Sequence, residues 1–321
     1  MERRPLGRTG LEVSRIVLGC GNFGGVGSAP ELFGQGESRE QAFALMDAAW
    51  AAGITVFDTA ASYGGGRSEA WVGEWRRDRG VPVTVSTKVF WSVTGDASDR
   101  GLSRDRIARE LDGSLRRLQL DTVDMYLTHE PDADTPIAET LEALDQAVRA
   151  GKVRAFGASN LDGAGLEAAL AASNRAGLAR FGWAQNEYSL LRRGAEQDVL
   201  PICEREGLGF TPFSPLAGGW LTGKYRRGAA YPDGSRMTLR PDPYDDLVGD
   251  ETFDALERFA EEASARGVEP ATLAIAWVLS HPGVTAVVVG PRNPEQLEPA
   301  LAATELELTH GERDELAAVF A

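Results

Sequence analysis

An apolar, β-rich run followed by a stretch with apolar residues at helical spacing recurs eight times along this chain, and nothing else in it constrains the fold as strongly. The strand-like runs fall at residues 16–18, 55–58, 83–88, 123–129, 153–158, 181–185, 209–213 and 286–289. Eight such units in 321 residues fit either an open doubly wound sheet or a closed (β/α)8 barrel of the TIM type. Their even spacing favours the barrel, as a single domain over residues 1–321. Residues 3–6 and 12–14, around Thr9-Gly10, predict a β-hairpin ahead of the first barrel strand. Residues 225–249 are polar and rich in Gly, Pro and Arg, which predicts a long loop after strand seven that covers a site.

Helix ends support this division. Ser38 with Gln41 makes a capping box for a helix carrying Ala42, Leu45, Met46 and Ala49, closed by Gly53. Thr135 as N-cap and Pro136 at the first helical position open another, carrying Ile137, Leu141, Leu144 and Val148. Further helices fit residues 166–173, 199–206 and 271–279.

With 33 Lys+Arg against 48 Asp+Glu, the net charge of −15 argues against duplex DNA or an anionic membrane surface as partner. A small anionic ligand responds to local charge and stays open. No apolar run approaches the ~18 residues of a membrane span, and the expected location is cytoplasmic. Cys20 and Cys203 are expected reduced and buried. The three histidines lack metal-ligand spacing, so no metal is expected.

Two glycine-rich stretches invite other readings and fail them. Gly19-Cys-Gly21-Asn-Phe-Gly24 matches G-x-G-x-x-G, but Gly25, Gly27 and Pro30 delay any helix until about Ser38, where a Rossmann helix should already be under way. Gly218-Gly-Trp-Leu-Thr-Gly223-Lys224 approaches a P-loop, yet Tyr225 stands where a magnesium-binding hydroxyl belongs. A glycine-rich loop with a lysine can still approach phosphates.

In a barrel of this kind, chemistry gathers at the C-terminal strand ends. Those ends carry Asp58, then Tyr63 just beyond, Lys88 and His129. A lysine closing an apolar strand needs a counter-ion, and Asp58 supplies one. An ammonium beside Tyr63 is expected to lower the pKa of its phenol, which could then protonate a developing alkoxide while His129 hydrogen-bonds the carbonyl oxygen.

These residues resemble the aldo-keto reductase superfamily, over essentially the whole chain. Leu6-Gly-Arg-Thr-Gly-Leu11 with Val13-Ser14 is similar to the opening hairpin of that family. Phe57-Asp58-Thr59-Ala60, Tyr63-Gly64 and Arg67-Ser68-Glu69 resemble its most specific signature. The resemblance implies a catalytic tetrad of Asp58, Tyr63, Lys88 and His129, with NADPH lying across the barrel mouth and a small carbonyl compound as substrate. It implies that Ser159, Asn160 and Gln185 hold the carboxamide and that Phe213 stacks on the nicotinamide. Ser214, Leu216, Gly218 and Lys224 would meet the pyrophosphate, and Gly290, Arg292 and Gln296 the adenosine end. Pro299-Ala300 departs from the family's usual Asn there. Phe23, Trp91 and Trp220 are the expected pocket walls. The same family includes potassium-channel regulatory subunits that bind the cofactor and catalyse slowly. A lyase using Lys88 as a Schiff-base nucleophile is a further alternative on this barrel.

Overall fold

The computed structural model describes residues 1–321. Eight parallel strands form one sheet: β3 (Ile16–Gly19), β4 (Val56–Asp58), β5 (Thr84–Val89), β6 (Val123–Thr128), β7 (Val153–Ser159), β8 (Trp183–Gln185), β9 (Gly209–Phe210) and β10 (Val287–Val289). From β3 to β9 each pairs with the next in sequence, and β10 returns to pair with β3. The Thr285 N–H donates to Phe210 O and the Val288 N–H to Pro212 O, each at 2.8 Å, which joins β10 to the chain around β9. The result is a (β/α)8 barrel with helices around it.

The hairpin expected at the N-terminus is present as β1 (Arg3–Pro5) and β2 (Glu12–Ser14). Its Leu6, Leu11 and Val13 share an inner cluster with Val17, Val56, Met125, Leu127, Trp183, Ala286 and Val288, so the hairpin plugs the floor of the barrel. Gly7, at φ +51°, allows this: a Cβ there would lie 2.5 Å from the Gly209 nitrogen. A larger cluster, rich in Leu, Val, Ile and Ala, fills the space between strands and helices.

Strand alternation then sets the site. Val56, Met125, Leu127 and Trp183 face the lumen, so two residues on, at the opposite rim, Asp58, His129 and Gln185 face it too. Register pairs Asp58 with Ser86 and Ser159 with Gln185.

Several boundaries differ from expectation. Strands β8 and β9 are shorter than residues 181–185 and 209–213. Pro212 has no N–H to continue a ladder, and Gly182 lies so close to Thr9 that an added Cβ would sit 2.3 Å from its methyl. Pro136, not Thr135, is the N-cap of helix Ile137–Arg149. The Ser38 capping box forms as expected, and helix Val199–Glu206 keeps its expected bounds. The segment 225–249 is not an open loop: it holds the short helical turns Arg236–Leu239 and Asp242–Leu247, and the Tyr225 hydroxyl donates to Gly218 O.

Candidate active site

Asp58, Tyr63, Lys88 and His129 meet at the C-terminal rim of the barrel. Lys88 Nζ donates to Asp58 Oδ2 at 2.5 Å, to Thr59 O at 2.9 Å and to the Tyr63 hydroxyl at 3.4 Å, which engages all three of its N–H bonds. The Asp58 and Lys88 side chains are 5% and 1% exposed, so this is a buried ion pair. Ser86 Oγ and Gln185 Nε2 donate to the other Asp58 oxygen at 2.8 and 3.3 Å. His129 Nε2 lies 3.4 Å from the Tyr63 oxygen.

Local structure holds each group. Behind β5, the fully buried Glu69 accepts from Thr87 Oγ1 and Arg117 Nε, both at 2.6 Å, and so braces the strand that carries Lys88. Ser68 Oγ donates to Cys20 O, tying helix Arg67–Arg79 to the end of β3. Tyr63 begins a tight turn in which Gly64, Gly65 and Gly66 all have positive φ. A Cβ on Gly64 would lie 2.4 Å from Phe23 O, so only glycine brings the phenol back over the lumen.

The electrostatics depart from the expectation for Tyr63. Burial pushes its phenol above the ordinary value, and the opposing Lys88 ammonium does not overcome this; Asp58 adds to the rise. The expected lowering does not occur, because burial outweighs the Lys88 ammonium and Asp58 offsets part of that ammonium's effect. Lys88 itself is pulled down by burial but held above the ordinary lysine value by Asp58 and Tyr63. Burial, and then Lys88, push His129 well below the usual range, so the imidazole is neutral. Its Nδ1 is buried without a partner.

The other expected site residues separate into groups. Ser159 is buried beside Gln185 at the rim, and Asn160 follows at φ +59°, with Nδ2 donating to His129 O at 3.0 Å and Glu130 Oε1 at 3.2 Å. Phe213 caps the inner cluster. Ser214 and Ala217 have positive φ, as do Gly218 and Gly219, which turns the chain sharply past Leu216. Lys224 is solvent-facing and lies across Gly219; partial burial, then Arg236 and Arg292, lower its pKa. Arg236 is half-buried with no carboxylate partner, and burial lowers its pKa as well.

Gln296 Oε1 accepts from the Arg292 N–H, so Gln296 shapes the turn after Gly290. Arg292 does not stand free: its Nε donates to Glu37 Oε1 at 2.5 Å and its Nη1 to Gly234 O at 2.7 Å. Burial raises the Glu37 carboxyl despite that arginine.

Two expected pocket walls are corrected. Phe23 is 1% and Trp220 0% exposed, and Trp220 packs among Tyr225, Tyr231 and Phe253. Both rings belong to the core. Trp91 is only partly buried and, with Phe90, Arg100, Pro131 and Glu130, the residue after His129, lines a cleft of about 360 Å³. Glu130, Glu37 and Arg236 were missed in the sequence, where each looks like a solvated charge in a polar loop.

Comparison with known proteins agrees with this geometry. The model of the aldo/keto reductase family matches residues 15–320. An uncharacterized oxidoreductase, YrpG of Bacillus subtilis (strain 168), is 39% identical over 96% of this chain and 92% of its own. A probable voltage-gated potassium channel subunit beta of Oryza sativa subsp. japonica is 37% identical over 95% and 92%, and the versiconal hemiacetal acetate reductase of Aspergillus parasiticus 32% over 96% and 94%. The tetrad at the rim, the barrel beneath it and the span of these matches lead to one conclusion: this chain belongs to the aldo/keto reductase family, whose members include oxidoreductases.

Proposed function

We propose that the protein reduces aldehyde or ketone carbonyls to alcohols with NAD(P)H, and that Tyr63 supplies the proton. The observation that carries this is the convergence of Lys88 and His129, each 3.4 Å away, on one phenol oxygen. Distances of that length are common before substrate is bound and tighten when it arrives.

The donor set fits a dinucleotide. Lys224 and Arg236 are cations without a carboxylate partner, as an anionic pyrophosphate would require. When bound, the dinucleotide supplies the hydride. The protein's own groups do the rest. Tyr63, kept as a phenol, holds the proton for the carbonyl oxygen. Neutral His129 places its proton on Nε2, where an acceptor is at hand, and so donates toward the same oxygen. Lys88, cationic with its three N–H bonds engaged, is a charge and not a nucleophile. This disfavours the Schiff-base reading.

The cleft at Trp91 and Glu130 is the proposed substrate side. An NADPH-oxidation screen over aldehydes, ketones and quinones tests the proposal. Substrate-dependent oxidation is expected. Tight dinucleotide binding with no turnover across the panel would instead favour a regulatory subunit, the role named for the Oryza relative.

A further inference from the structure

Arg292 is the cation of the motif expected to meet the adenosine end of the dinucleotide, yet the protein already engages two of its five N–H donors and pairs its charge. A guanidinium binds phosphate most strongly through two neighbouring nitrogens. Nε is bonded to Glu37 and one N–H of Nη1 to Gly234 O, so the Nε–Nη2 edge has lost its Nε donor and two of the five N–H groups are taken. The partner is a built feature. The Glu37 N–H donates to Asn22 O at 2.9 Å, and Glu37 O accepts from the Gly24 N–H at 3.1 Å, which fixes its backbone. Its side chain is 2% exposed, and Oε2 is buried without a hydrogen-bond partner.

We propose that Glu37 sets the cofactor preference of this protein by occupying Arg292, so that NADPH and NADH bind with similar affinity. The inference rests on the dinucleotide reading above. A carboxylate on Arg292 cancels the charge that a 2′-phosphate would seek and repels the phosphate directly. Its unmet oxygen is an acceptor suited to a ribose 2′-hydroxyl, the group that NADH keeps and NADPH has lost; an acidic residue plays that part in other dinucleotide folds. Glu37 thus acts both through Arg292 and by its own contact with the ribose.

The test is calorimetric measurement of the NADPH and NADH dissociation constants for wild type and Glu37→Gln, which keeps the shape and removes the charge. The wild-type constants should lie within about tenfold of each other, and Glu37→Gln should shift their ratio towards NADPH by about tenfold, the size of one charged hydrogen bond. A wild-type preference for NADPH above about a hundredfold would overturn the proposal whether or not the variant folds. A ratio unchanged in Glu37→Gln, with both affinities moving together, would reduce Glu37 to a structural support. Failure of the wild type to bind either dinucleotide would count against the functional reading itself, and this inference would fall with it.

Discussion

Lys88 and Asp58 project from neighbouring strands into the barrel mouth and form an ion pair of 2.5 Å that solvent scarcely reaches. Breaking such a pair leaves an uncompensated charge in a poorly solvated place.

Lys88→Met is therefore expected to destabilise the protein by about 3–5 kcal/mol in urea unfolding, because Asp58 keeps its charge. The same change removes the ammonium that opposes the burial of Tyr63, so the phenol becomes a weaker acid and turnover falls. Asp58→Asn should harm the fold less, since the amide still accepts from Ser86 and Lys88 still has Thr59 O. A Lys88→Met variant as stable and active as wild type would refute this role.

The pH dependence follows from two shifts. Tyr63 must be protonated to donate, and its pKa is raised, so the acid form persists until pH exceeds the ordinary phenol value. His129 is lowered well below its ordinary value, so it stays neutral as pH rises through the usual histidine range. The kcat/KM for reduction should therefore be flat between about pH 6 and 9 when chemistry limits the rate. A descending limb inside that window that disappears in Tyr63→Phe would contradict the raised phenol pKa.

The segment 225–249 should gain protection from hydrogen exchange when NADPH saturates the protein. Residues 226–230 are exposed, and Gly234 is tied down through Arg292, which the dinucleotide is proposed to approach. Exchange unchanged across the segment would show that it does not close over the ligand.

Much of this was legible in the sequence because strand ends and alternation are local properties. Asp58, Lys88 and His129 each close an apolar run in the inward phase, and the Ser38 capping box is a four-residue pattern. Helix Arg104–Leu118 follows the helical spacing expected between strands, with Ile107, Leu111, Leu115 and Leu118 buried on one face. The Glu37–Arg292 pair joins residues 255 positions apart, and no local pattern announces such a contact. The pKa of Tyr63 was misjudged for a related reason: its charged neighbour is visible in the sequence, whereas its burial is a property of the assembled barrel mouth.

The Tyr63 phenol, as proposed, donates the proton in a carbonyl reduction. The most direct measurement is single-turnover reduction by Tyr63→Phe together with its NADPH dissociation constant. The rate should fall below about a tenth of wild type while the dissociation constant changes by less than about threefold. A variant that binds NADPH normally and still reduces the substrate at more than about a tenth of the wild-type rate would contradict it.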